Sequence, residues 1–315
     1  MKKIVIFNVG GALSAYGDFD SQRFVIDLGK KEDFSPVLDF LKPLFDKERL
    51  SKSTATIGKG KYHIDQLFLS HLDKDHTADY EKFSEYFFPQ FMTCPNDNSK
   101  QRNIFKINRN KIGELTDLKK KILSDMKVRY PLHEDRPIQS KINNIELNYI
   151  RPLNCEDGKD LEVAYANNIS LTLFVSYNNK TALFPGDLLK EGMKHLINNN
   201  RNFKKLLSNN GIDYLIAPHH GLQTSFSTVF FETIKGNKTR LNIISEKVRS
   251  VESNENRSDV DSRYRSEDYC TGENFLGKYG VKTSLGHIVI DFETSEVEVK
   301  QYTEINEVIE EFCTK

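Results

Sequence analysis

Between Ser70 and His76 the chain reads Ser-His-Leu-Asp-Lys-Asp-His, which places four strong metal-binding side chains, His71, Asp73, Asp75 and His76, in one short turn. The turn follows the apolar run Ile64 to Ser70. In extended chain, alternation puts His71, Asp73 and Asp75 on one side, with His76 adjacent. Two further places share the pattern. Asp187 follows Phe184-Pro185-Gly186, while His219 and His220 follow the apolar run Ile212 to Pro218 and precede Gly221. Four of the eight histidines thus fall in two clusters at the ends of expected strands. Singly, each feature has a plain structural reading: a charged turn with Asp75 capping a helix, a common Gly-Asp turn, a pair of structural histidines. Together they offer imidazoles and carboxylates at three buried strand ends, the kind of rigid support a two-cation centre requires. Two cations roughly 3.5–4 Å apart can lower the pKa of a shared water and clamp the attacking and leaving oxygens of a displacement. The chemistry suggested is hydrolysis.

The elements that must position these residues are legible in outline. Lys2 to Gly10 and Arg23 to Gly29 are β-branched and aromatic runs that end in glycine, as strands before turns do. Ser35-Pro36 opens a helix, with Ser35 as N-cap, Pro36 in the first helical position and Val37, Leu38, Leu41 and Leu44 as the apolar face. Ser51 to Tyr62 is a polar, Gly- and Lys-rich loop. Ala78, Tyr80, Phe83, Tyr86 and Phe87 approximate helical spacing. Further strands are expected at Ile145–Ile150, Ser170–Tyr177, Thr181–Gly186, Ile212–Pro218, Arg240–Ser245, Gly286–Phe292 and Val297–Tyr302. An Asn-Asn-Lys hairpin signal joins the second and third of these. Thr303 caps a C-terminal helix over about 303–313. Strands mix with helices throughout, so sheets covered by helices are expected. The stretch about 96–140, Lys- and Asn-rich, reads as an insertion in a single domain spanning 1–315. Val248 to Tyr269 is a long charged loop.

Composition narrows the partners. Among 315 residues, 45 basic side chains balance 45 acidic ones, so no global positive field draws in a polyanion. Local cations would have to do so: Lys52, Lys59 and Lys61; Lys119 to Lys121; and Arg249, Arg257, Arg263 and Arg265 in the charged loop. Tyr264 and Tyr269 could stack on bases. Cys94, Cys155, Cys270 and Cys313 are far apart and form no zinc-ribbon or disulfide pattern. No apolar run approaches the ~18–20 residues that span a bilayer, and the N-terminal apolar stretch breaks at Asn8. A cytoplasmic protein without membrane association is expected.

The order HxDxDH, then a strand pair ending in Gly-Asp, then a strand ending in His-His-Gly, resembles the metallo-β-lactamase superfamily. It looks most like the hydrolase domain of ComEC competence proteins and their free-standing relatives. The segments 6–17 and 24–29 resemble the family's opening strand pair, with Asp27-Leu28-Gly29 beneath the site. Residues 167–187 resemble its paired strands, and 219–227 its His-His-Gly and serine segment. The resemblance implies an α/β fold, a four-layer αββα sandwich, holding two divalent metal ions. Zinc or manganese is favoured, with magnesium admissible because the site is rich in carboxylates. Carried over by position, His71 and Asp73 hold one metal, Asp75 and His76 the other, and Asp187 bridges. One of His219 and His220 completes a shell while the other acts on the leaving group or the phosphate. We assign His220 to metal and His219, with Asp75, to catalysis. The family departs from this chain where many members carry a third histidine: here stand Asn167 and Asn168, taken as substrate-binding together with Arg263 and Arg265. No Gly-His-Pro follows Ser245. His287 could compensate, although an edge-strand histidine is the simpler reading.

These resemblances imply a metal-dependent phosphodiester hydrolase, with a nuclease acting on DNA or RNA as the leading expectation. The alternatives are a hydrolase of a small phosphodiester, of cyclic-nucleotide or phosphorylcholine type, and a degenerate regulatory or partner-binding subunit. A protein partner within a multi-gene system is an expectation by analogy only.

Overall fold

The computed structural model describes residues 1–54, 58–96, 107–129, 140–156, 159–246, 260–272, 278–294 and 298–313. Among them the strands form two sheets. The first, of seven strands, runs in the order β13 (Val299–Tyr302), β12 (His287–Asp291), β1 (Lys2–Ile6), β2 (Ser14–Phe19), β3 (Gln22–Leu28), β4 (Tyr62–Phe68) and β5 (Phe87–Thr93). The second, of six, runs β11 (Gly280–Lys282), β10 (Leu241–Ile244), β9 (Tyr214–Ile216), β8 (Lys180–Phe184), β7 (Thr172–Tyr177) and β6 (Ile145–Asn148). The helices are α1 (Lys42–Lys47), α2 (Lys74–Thr77), α3 (Tyr80–Tyr86), α4 (Asp117–Arg129), α5 (Pro152–Glu156), α6 (Lys159–Glu162), α7 (Tyr165–Asn168), α8 (Lys190–Asn199), α9 (Arg201–Asn210), α10 (Thr228–Thr233) and α11 (Ile305–Cys313).

The layering follows from the two-residue period of the strands. Ile4, Ile6, Ala15, Phe24 and Ile26 of the first sheet share one core with Leu173, Val175, Ala182, Phe184, Tyr214, Ile216 and Ile243 of the second. That core lies between the sheets and, among the described residues, holds no helical side chain. The alternate residues, Val5, Tyr16 and Val25 on one side and Phe174, Leu183 and Leu215 on the other, pack with the helices. Tyr16 meets Phe40, Phe45 and Phe312 edge-on or tilted, at centroid separations of 5.5–6.4 Å. Leu215 adjoins Met193, Phe230 and Phe231 around a small internal gap. The fold is therefore a mixed α/β sandwich of two sheets between helices, four layers deep.

Local chemistry sets the expected boundaries well. The Ser35 hydroxyl accepts from the Leu38 N–H with Pro36 at the start, and a wide π-type helical stretch, Pro36–Leu41, leads into α1. Asn178 and Asn179 both adopt left-handed backbone between β7 and β8, as a two-residue primed hairpin requires. β2, β5 and β11 were not foreseen, nor were α8, α9 and α10; Phe87, read as helical, begins β5. Much of the expected insertion lies outside the described residues, and α4 is its described helix. Among the described residues no helix is long and apolar enough to cross a membrane.

Candidate metal centre

β3 runs parallel to β4, and β8 parallel to β9, so the carboxyl ends of each pair open on a common edge. The His71–His76 turn leaves β4, Asp187 leaves β8 and His219-His220 leaves β9. One contact joins the edges of the sheets, the Leu171 N–H donating to the Ser70 carbonyl, and within the second sheet the Asp187 N–H donates to the Ser170 hydroxyl. Glycine makes the approach possible. A Cβ on Gly29 would lie 2.4 Å from the Asp75 carbonyl oxygen and 2.5 Å from that of Leu13. Gly186, at φ +59°, leaves space in which a Cβ would come within 2.8 Å of Ser70 Cβ.

His219 and His220 both take left-handed backbone, at φ 47° and 58°, as does Asp27 at 56°. Such conformations cost non-glycine residues of order 1–3 kcal/mol each and cluster at functional sites. The bend is held from several sides. The His219 N–H donates to the Gly186 carbonyl, and the Ser225 hydroxyl reaches the Pro218 and Leu222 carbonyls.

Around Asp187 the side chains fall into two groups. Asp75, His76, Asp187 and His220 each present a ligand atom within 4.8 Å of the others. In that group His76 Nε2 lies 3.1 Å from Asp187 Oδ1, and His220 Nε2 lies 3.1 Å from Asp75 Oδ2. In the second, His71 Nε2 is 3.7 Å from Asp73 Oδ2 and 3.8 Å from Asp187 Oδ2, while His219 Nε2 is 3.7 Å from that same Asp187 oxygen. Asp187 thus turns one oxygen to His76 and the other to His71, His219 and His220.

Behind the ligands stands Asp27, fully buried. One oxygen is 2.7 Å from His76 Nδ1 and accepts from the Ser70 hydroxyl; the other accepts from the Ser70 N–H at 2.6 Å. The Ser70 hydroxyl also sits 3.1 Å from His71 Nδ1. Each ring is thereby held by its rear nitrogen, and its Nε2 is directed into the cluster. The electrostatics follow. Burial disfavours a charged His76, but Asp187 and Asp27 outweigh it and raise its pKa well above that of a free imidazole. His71 goes the other way, lowered by burial and by His76. Asp187 stays far below the usual carboxylate range despite its burial, because His76, His71 and His220 surround it. Asp75 is lowered too, with burial opposed by His220 and His76.

The donor set fits divalent cations. Nε2 of His71 and of His76 are buried and make no hydrogen bond among the described residues, a costly condition for a polar atom. The carboxylates around them call for positive charge at the same place. A cation would satisfy both demands.

Other expected site residues lie elsewhere. Asn168 is buried in α7 and donates to the Leu161 carbonyl, and neither it nor Asn167 hydrogen-bonds to the cluster. The turn of α7 directs Asn168 inward against Gly192, whereas Asn167 is half-buried. Arg263 is engaged bidentately by Asp261 and lies over the Phe226 ring at 3.9 Å. Arg265 is exposed, with its stem against Gly280. Tyr264 is buried, and Tyr269 packs on Phe226 and Phe231, so neither is presented for stacking on a base. His287 accepts the Asn8 N–H through Nδ1 between Phe7 and Phe34, a structural position outside the cluster. His219, expected to stand apart from the metal shell, faces the same Asp187 oxygen as His71. Lys52 lies over Tyr62, and Lys61 donates to the Ser84 carbonyl. Arg249 and Arg257 lie outside the described residues. Sequence reasoning missed Ser70 as the hub behind both rings, and it missed the contact of Lys119 with Asp73. The first carries no signal beyond its place beside His71.

No family model matches the sequence, and no curated protein matches it. Solved structures of the metallo-β-lactamase fold do. The metallo-β-lactamase fold protein YhfI from Bacillus subtilis is 13% identical over 80% of this chain and 89% of that one, at a TM-score of 0.38. A diphosphatase of the PhnP family is 11% identical over 78% of this chain and 87% of that one, also at 0.38. A long form RNase Z from yeast is 12% identical and covers 99% of this chain but 43% of that one, at 0.36.

Proposed function

We propose that this chain is a metal-dependent phosphodiester hydrolase with DNA or RNA as its substrate class. The observation that supports it most is the convergence of His71, His76, His219 and His220 on the two oxygens of Asp187, with Asp73 beside His71 and Asp75 beside His220. In this reading His71, Asp73 and His219 hold one cation, Asp75, His76 and His220 hold another, and Asp187 is shared. The bound ions would offset phosphate charge and make water a competent nucleophile at neutral pH. The chain's own contribution is order: Asp27 and Ser70 fix the two rear imidazoles, and such partners commonly govern both ligand orientation and basicity.

A small phosphodiester is the second reading. It is favoured by the packing of Tyr264 and Tyr269 and the pairing of Arg263, which withdraw much of the rim an extended strand would use. Both readings meet one experiment. Metal-stripped protein is offered labelled single- and double-stranded DNA and RNA, and separately a cyclic nucleotide, with Mn²⁺, Zn²⁺ or Mg²⁺ restored. Metal-dependent strand cleavage that the Asp75→Ala protein lacks is the expected result. Turnover of the cyclic nucleotide alone selects the second reading, and inertness toward all of them with metal bound removes both.

A further inference from the structure

α4 carries three consecutive lysines, and one differs from its neighbours. Lys120 pairs with Asp117 on the surface, and Lys121 with Asp125 and the Ser84 hydroxyl. Lys119 is 8% exposed. Its ammonium donates to the Ile112 carbonyl at 2.6 Å and to Asp73 Oδ1 at 3.1 Å. Ile112 is itself buried, and Gly113 follows it with left-handed backbone in the turn that presents that carbonyl. A lysine is seldom so buried without being paired, and here the pairing reaches a member of the candidate metal centre.

We propose that Lys119 is a tethered counter-cation at Asp73, which weakens that half of the centre, so that the protein holds one divalent ion tightly beside Asp75 and a second weakly beside Asp73. This rests on the reading of the cluster as a two-cation site. The corresponding place at Asp75 is taken by His220, whose ring nitrogen can itself become a ligand. An ammonium has three donors and no lone pair, so Lys119 adds charge and no ligand. The rear partners differ in the same sense: His76 is backed by the Asp27 carboxylate, His71 by the Ser70 hydroxyl. One effect opposes the proposal. Lys119 also steadies Asp73, and loss of such a partner commonly costs roughly 10–100-fold in metal affinity. A full positive charge on the ligand carboxylate, shielded from water, repels a dication more strongly than that.

The sign of one change decides between these effects. Metal-stripped protein is titrated with Mn²⁺, and free ion is followed by its paramagnetic resonance signal, giving stoichiometry and two dissociation constants. In the unmodified protein the constants should differ by about tenfold or more. Lys119→Met, similar in length and uncharged, should tighten the weaker by about tenfold while the tighter stays within about twofold. Lys119→Arg should preserve the gap, and melting curves check that each variant is folded. Equal constants in the unmodified protein, or a weaker second constant in Lys119→Met, overturns the proposal. If the unmodified protein binds no Mn²⁺ at all, the two-cation reading falls and this inference falls with it.

Discussion

Asp73 and Asp75 stand two residues apart on one turn, and each points a carboxylate oxygen at the same bridging cluster. Their surroundings nevertheless differ in kind. Asp75 faces His220 at 3.1 Å, and Asp73 faces the Lys119 ammonium at the same distance. Each half receives a histidine from the bend after β9, but in the Asp75 half His76 is braced by the buried Asp27 carboxylate. The Asp73 half is contacted by α4 through Lys119. Two halves of the candidate centre that look equivalent as a motif are thus unequal as electrostatic environments.

The largest effect should come from the residue the halves share. Asp187→Ala should remove metal from both and lower activity by well over the roughly 10–100-fold that loss of an outer partner costs; elemental analysis of the purified protein checks it. Retention of two ions would break the idea of a shared bridge. Next in size, His220→Ala should empty the tighter half and leave about one weakly held ion. His219→Ala should act on the Asp73 half and leave the tight ion in place. Calorimetric titration of the pair separates them, and identical behaviour would mean that the halves are not distinct.

Much of this arrangement was legible in the sequence, for a physical reason. Ligands at strand ends announce themselves because apolar runs stop at them, as at Ser70-His71, Gly186-Asp187 and Pro218-His219. The alternation of Ile4, Ile6, Phe24 and Ile26 likewise marks the face that meets the second sheet. What stayed hidden depends on tertiary contact. Tyr264, in a highly charged stretch, looks like an exposed ring, yet the fold buries it against Phe226. Asn168 occupies a ligand's place in the motif but faces away once α7 forms. Lys119 reads as one of three surface lysines until α4 docks beside the His71–His76 turn.

A smaller and more selective effect is expected from Asp27→Asn. Asparagine tolerates the left-handed backbone at this position, but it has one acceptor oxygen where Ser70 and His76 now use two. The ion of the Asp75 half should bind about 10–100-fold less tightly, while the weaker ion changes by less. Equal losses in both would mean that Asp27 supports the cluster generally, through Ser70, and not His76 in particular.

An effect on stability alone, with none on metal or activity, comes from a buried histidine whose pKa no carboxylate raises among the described residues. His287 is held neutral: burial, with Lys31 nearby, lowers its pKa from 6.5 to about 4. His76, more deeply enclosed, is raised because Asp187 and Asp27 flank it. For His287 the unfolded chain takes up a proton first as pH falls. Its contribution is therefore intact above pH 6.5 and is lost progressively down to about pH 4, by about 3 kcal/mol at most. In His287→Gln, whose side-chain oxygen can still accept the Asn8 N–H, denaturant unfolding should show a shallower loss of stability over that window, with metal affinities unchanged. An unchanged acid limb would place the titration elsewhere. A change in metal affinity would show that His287 is coupled to the centre and that burial without a carboxylate is not what sets it apart.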